Sequence, residues 1–166
     1  MSTSQDRLSR MIARLCTQRA CLRFAGAVVS VRPGSILEIG LGKGRTYDFL
    51  RAQFPQREIF AFDRILHCPE DVRPEPDHLI LGDFLATLPA FTERMGRTAA
   101  LAHADIGSGD PSRDAALAAE IAPLIDRLVQ RHGLVLTDRA MSMPEWVSLP
   151  LPPGAGDWPY YIYKVG

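Results

Sequence analysis

Seventeen residues, Ser35 to Arg51 (SILEIGLGKGRTYDFLR), constrain the fold more than any other part of the chain. Ile36, Leu37 and Ile39 form an apolar, strand-like stretch that runs into Gly40-Leu41-Gly42-Lys43-Gly44. Behind the glycines, Tyr47, Leu50 and Phe54 recur at helical spacing. Glu38 stands two positions before the first glycine. Glycine lets a backbone approach a ligand closely, and the start of a helix presents unbonded N–H groups. A strand that turns on glycines into a helix is therefore a cradle for a nucleotide cofactor.

The rest of the chain alternates strand-like and helix-like segments, which predicts a mostly parallel sheet with helices on both faces. Residues 5–28 read as one or two helices, ended before Pro33-Gly34. Strands are expected at Ile36–Ile39, Glu58–Phe62, His78–Leu81, Ala99–Ala104 and Leu134–Thr137, then at Trp146–Leu149 and Tyr160–Val165. Helices are expected at Thr46–Gln53 and Leu85–Met95. A long helix should run from the Asp110-Pro111-Ser112 start to Arg131, with His132-Gly133 as its stop. One domain, 1–166, is expected, with a helical segment at 1–30 capping an α/β core at 31–166.

The 166 residues suffice for a core of their own, and 46% apolar with 23% charged residues are globular values. The net charge is zero, so no strong field draws in nucleic acid or an anionic membrane; neither is expected as a partner. The charge is uneven, however. Residues 1–37 hold Arg7, Arg10, Arg14, Arg19, Arg23 and Arg32 against the single acid Asp6. Leu8, Met11, Ile12, Leu15, Cys16 and Leu22 share one helical face, which reads as an amphipathic surface helix rather than a transit peptide. No apolar run approaches the ~20 residues of a membrane span. Cys16, Cys21 and Cys68 show no metal or redox spacing, which points to reduced thiols and a cytoplasmic protein.

The glycine spacing separates cofactor classes. The dinucleotide fingerprint is G-x-G-x-x-G. Here the third glycine comes one residue early, and Arg45 takes the fingerprint position. Glu38-Ile39-Gly40-Leu41-Gly42-Lys43-Gly44 instead resembles motif I, E-x-G-x-G-x-G, of the class I S-adenosylmethionine (SAM) methyltransferases. An acid suits the cationic end of SAM and would be unwelcome beside a pyrophosphate. The resemblance spans residues 30–166 and implies a seven-stranded, mostly parallel Rossmann-like sheet with an antiparallel last strand. The GRTYDFLR continuation is similar to that of a small bacterial branch of the family.

Glu38, Asp63, Asp83, Asp105 and Asp138 fall at or near the C-terminal ends of the five predicted parallel strands, the edge where open α/β sheets bind ligands. Asp63 lies 19 residues after Gly44, where a carboxylate can accept from both ribose hydroxyls. The resemblance places Gly82, Asp83 and Phe84 at the adenine, and Glu38, Gly40, Gly42 and Gly44 around the methionyl group. Asp105 lies in a motif-IV-like segment, where it either faces the SAM amine or takes the acceptor's proton. His103 shares the face of Asp105 but sits inside the strand and reads as a core residue. Asp105 and Asp138 resemble the aspartates of metal-dependent catechol-type methyltransferases. Arg139 stands where those enzymes have asparagine, and no lysine follows Asp105 at their spacing; no metal is expected, and Asp138 should pair with an arginine.

The expected function is SAM-dependent methyl transfer to a small-molecule oxygen or nitrogen acceptor. The alternatives are a non-catalytic SAM-binding protein and an NAD(P)-dependent oxidoreductase. No insertion is long enough to form a substrate lid, so the N-terminal helix and a second copy in a homodimer are expected to close the site.

Overall fold

The computed structural model describes residues 6–166; the first five residues of the expected capping segment lie outside the described residues. All five residues of β1 (Ser35–Ile39) are buried, because the strand has neighbours and helices on every side. It pairs in parallel with β2 (Ile59–Asp63) on one edge and β4 (Ala99–Ala104) on the other. Beyond these lie β3 (Leu79–Leu81) and β5 (Val129–Thr137), both parallel. β7 (Tyr161–Val165) is antiparallel to β5, and β6 (Trp146–Leu149) closes the far edge. The order β3-β2-β1-β4-β5-β7-β6 is the seven-stranded sheet expected from the resemblance. The chain leaves β1 in one direction and resumes at β4 in the other, so a crevice opens between their C-terminal ends.

Alternation along the strands divides the core in two. Leu37 and Ile39 of β1 meet α3 (Phe84–Met95) and α4 (Pro111–Asp126) through Leu88, Phe91, Ile121 and Ile125. Ile36 faces α1 (Arg7–Val29) and α2 (Arg45–Gln53) through Leu22, Val29, Tyr47 and Leu50. Capping fixes where the helices begin. Asp6, Asp83 and Asp110 each accept a backbone N–H from the first turn that follows. α2 has no side-chain cap; its N-cap is Gly44 in the left-handed region.

Two expectations are corrected. α4 ends at Asp126 and β5 begins at Val129, so His132-Gly133 is an irregularity inside a nine-residue strand, not a helix stop. Val129 pairs with Ala99, and the register then shifts before Leu134 pairs with Leu101. His132 takes a φ of 64°, and a Cβ on Gly133 would sit 2.9 Å from the Ala100 carbonyl oxygen. Strand pairing with β4 overrides the local helical pattern. The second correction concerns α1. Its apolar residues run from end to end of the helix, but only those in the C-terminal half are buried, at Cys21, Leu22, Ala25 and Val29. Leu8 is 70% exposed and Ile12 53%, because the first turns overhang the sheet edge. No helix among the described residues is long and apolar enough to cross a membrane.

Candidate active site

The C-terminal ends of β1 and β4 open into a cleft of about 420 Å³. Gly40, Leu41 and Gly42 form its floor, Asp63 and Phe84 one side, and Asp105 to Ser108 the other. Met11, Arg14, Leu15 and Gln18 of α1 roof it. A larger cavity of about 600 Å³ lies at the opposite edge of the sheet, around Gly34, Phe54 and Arg57, away from the glycine turn and the row of aspartates.

Each glycine of the turn has its own reason. At Gly40, φ is +91°, and a Cβ would lie 2.1 Å from the Asp105 carbonyl oxygen, so this glycine lets the β1 and β4 ends close together. Gly42 has φ of +52° and nothing within 4 Å of a built Cβ; it is bare backbone facing open space. Such a surface fits a ligand pressed against the chain. Gly44 does not line the cleft: its added Cβ would meet Val72 Cγ2 at 2.9 Å and Cys68 Cβ at 3.3 Å.

Asp63 accepts from the Gly42 N–H at 2.8 Å and the Arg64 N–H at 2.6 Å. Each bond uses one oxygen, and a carboxylate has about four acceptor positions, so Asp63 retains capacity for ribose hydroxyls. Phe84 reaches the cleft. Asp83 caps α3 through the Leu85 N–H at 2.8 Å, and neither Asp83 nor Gly82 lines the cleft.

Glu38 lies beneath the floor and is fully buried. One of its oxygens accepts from the Thr46 hydroxyl at the start of α2, and the other lies 2.8 Å from His103 Nδ1. Burial opposes a charged imidazole, but the Glu38 carboxylate outweighs it, with Asp105 and Asp138 adding, and the His103 pKa lies above its usual 6.5. His103 is thus a core residue, as expected, and Glu38 anchors the turn through Thr46 rather than facing a ligand. Among the described residues, His103 Nε2 and the Tyr160 hydroxyl are buried without partners.

Asp105 does face the cleft. Arg14 Nη2 donates to both of its oxygens, at 2.8 and 2.6 Å, and Gln18 Nε2 donates at 2.7 Å. Burial raises the Asp105 pKa, but His103 and Arg14 together hold it below the usual carboxylate range. The wall beyond it is pinned from behind. Asp114 accepts from the Ser108 N–H at 2.8 Å, the Ser108 hydroxyl at 2.6 Å and Arg139 at 2.8 Å. Burial works against its charge, but these donors bring its pKa down to about 2. Asp138 accepts from the Ile106 N–H at 3.1 Å and pairs with Arg139 at 3.0 Å, the arginine pairing expected of it. Burial, with Asp105 nearby, raises its pKa to about 6.

Sequence reasoning missed the α1 roof residues. Arg14 and Gln18 stand four apart, hence on one helical face, and interrupt the apolar stripe with polar groups. That interruption was the available signal.

Residues 5–165 match the model of a family described as S-adenosyl-L-methionine methyltransferase. No curated protein is significantly similar to the chain. A solved S-adenosyl-L-methionine methyl transferase from Silicibacter pomeroyi DSS-3 is 41% identical, with a TM-score of 0.93; the match covers 98% of this chain and 100% of that one. The antibiotic-resistance methyltransferase Kmr shares the fold at 14% identity and a TM-score of 0.54, over 89% of this chain and 92% of that one. A 16S rRNA (adenine(1408)-N(1))-methyltransferase from Catenulisporales acidiphilia, solved with SAM, is also similar, at 13% identity and a TM-score of 0.48, covering 87% of each chain. The expectation of a small-molecule partner and no nucleic acid does not stand, because the fold shared with these methyltransferases does not fix the acceptor. Its physical flaw is that a net charge of zero averages over local patches, such as Arg7, Arg10, Arg19 and Arg23, all exposed along α1.

Proposed function

The chain belongs to the S-adenosyl-L-methionine methyltransferase family, and from that premise we propose that its cleft directs the methyl of SAM to an oxygen or nitrogen nucleophile held between Asp105 and Ser108. One observation carries the assignment of the site: Gly40, Gly42, Asp63, Phe84 and Asp105, separate in sequence, converge on a single cleft at the switch point of the sheet.

The geometry of the cleft supports the following roles. The Gly40–Gly42 backbone receives the methionyl end, and Asp63 holds the ribose through its remaining acceptor positions. Phe84 packs on the adenine. When bound, SAM would supply a methyl carbon on positive sulfur for the acceptor's lone pair, the sulfur keeping the bonding electrons and the acceptor's proton passing to solvent. Asp105, held ionised by its neighbours, is a weak base and a good partner for positive charge. We therefore assign it to the cationic end of the cofactor rather than to proton removal. The Ile106–Ser108 wall, fixed by Asp114 and Asp138, sets the approach of the acceptor. The α1 roof excludes water, and rate enhancement comes mainly from alignment.

The test is Gly42→Leu. No protein atom lies within 4 Å of a Cβ at that position, so the side chain enters the space assigned to the ligand. Left-handed backbone costs a non-glycine residue about 1–2 kcal/mol, which a stable domain withstands. The variant should keep its circular dichroism spectrum and lose S-adenosylhomocysteine binding. A folded variant that binds as the wild type does would refute the cradle.

A further inference from the structure

The mouth of the cleft holds cations that no carboxylate neutralises. Lys43 lies in the glycine turn, Arg45 opens α2, Arg64 follows β2 and Arg113 lies in the first turn of α4; all four line the cleft and are exposed. None of them joins a salt bridge among the described residues. The carboxylates of the same lining are already engaged. Asp63 accepts from the Gly42 and Arg64 N–H groups, Asp105 from Arg14 and Gln18, and Asp114 from Ser108 and Arg139. Arg45 and Arg113 also stand at the positive, N-terminal ends of their helices, where a cation alone is unfavourable.

These charges do not serve the cofactor, because SAM is itself a cation. Their complement is an anion bound beside it. The row of cations also runs beyond the cleft. Arg7, Arg10 and Arg14 recur at helical spacing on one face of α1, and Arg7 and Arg10 are exposed. At the helical rise this row extends about 10 Å outward from Arg14. A single phosphate or carboxylate would leave most of it unpaired, whereas phosphates repeated along a strand meet it in turn. The roof adds apolar surface at Met11, 44% exposed, and Leu15, 38% exposed, on which the face of a base can pack. A cleft roofed by a helix admits a single strand or an extruded base, not a stacked pair. The zero net charge of the chain averages this row away and hides it from composition.

We propose that the methyl acceptor is a single strand of nucleic acid. Its backbone lies on Lys43, Arg45, Arg64 and Arg113, its flanking phosphates on Arg7 and Arg10, and the accepting nucleotide in the cleft beneath Met11 and Leu15. The inference rests on the methyltransferase reading above and names the substrate class of that site.

The experiment follows the fluorescence anisotropy of a labelled oligouridylate of about 12 nucleotides, a length within the span of single-strand sites, on protein saturated with S-adenosylhomocysteine. The wild type should bind it at least about tenfold more tightly than it binds uridine monophosphate, measured by competition. The logarithm of the binding constant should fall with the logarithm of the salt concentration, with a slope of about −3 or steeper, the value for four or more phosphate contacts on a single strand. Arg45→Gln/Arg113→Gln should weaken the strand about tenfold or more and flatten the slope by about 1.4, with S-adenosylhomocysteine binding changed by less than about threefold. Arg127→Gln/Arg131→Gln removes the same charge from exposed positions beside the start of β5, away from the cleft, and should keep the wild-type slope. A strand bound no better than uridine monophosphate, or a slope near zero, would overturn the proposal on the wild type alone, even if a variant does not fold. So would equal losses from the two double variants. Failure of S-adenosylhomocysteine to bind the wild type would instead defeat the SAM reading of the cleft, and this proposal with it.

Discussion

His103 and Glu38 show what a buried ion pair does for a site it does not touch. Both side chains are fully buried, and Glu38 passes the constraint to Thr46 at the head of α2. Removing one partner leaves a buried charge alone, so His103→Leu should destabilise the protein by about 3–5 kcal/mol. The double variant His103→Leu/Glu38→Leu should recover much of that loss, as read by denaturant unfolding. The pH dependence has a defined sign. With the folded pKa of His103 above 6.5, the native state binds the extra proton at pH values where the unfolded chain has lost it. The stabilisation is therefore complete below pH 6.5 and is lost as the pH rises through the folded value. An imidazole resonance of His103 that titrates at or below 6.5 would contradict this. Glu38 is conspicuous in the sequence beside its glycines, but its partner lies 65 residues away, and only the β1–β4 register brings them face to face.

Among the elements, α1 carries the most consequence and was the least legible. Its stripe of apolar residues is plain, yet periodicity says nothing of where the supporting sheet ends. Leu22 is 1% exposed and packs on β4 and β5, whereas Leu8 overhangs at 70%. Leu22→Ala should cost about 2–5 kcal/mol. Leu8→Ser should stay within about 0.5 kcal/mol. Equal losses from the two, measured by chemical unfolding, would mean that the outer turns of α1 are as firmly seated as the inner ones. The C-terminal elements teach the same lesson from the other side. Leu128 and Val129 continue a helical pattern in sequence, and pairing with β4 turns Val129 into strand. By contrast, the strands from Ser35 to Ala104 fall within a residue of expectation, because β1, β2 and β4 are bounded by glycine, proline and charged turns.

Across the whole molecule, the mostly parallel α/β sheet and the cofactor class were readable because both are written in short local signals, the alternation of strands with helices and the glycine spacing. The division of labour among the acids was not. Five carboxylates sit near five strand ends, yet Asp63 and Asp105 line the cleft, Glu38 lies under it, Asp83 caps a helix and Asp138 braces a loop. What separates them is which way each strand end points and which donors surround it, and both depend on contacts between distant residues. The central claim is that one cleft, floored by Gly40–Gly42 and flanked by Asp63 and Asp105, binds SAM. Calorimetric titration of the purified protein with S-adenosylhomocysteine, with NAD in parallel, tests it most directly. Micromolar binding of S-adenosylhomocysteine and none of NAD is the predicted result; binding of NAD alone would contradict it.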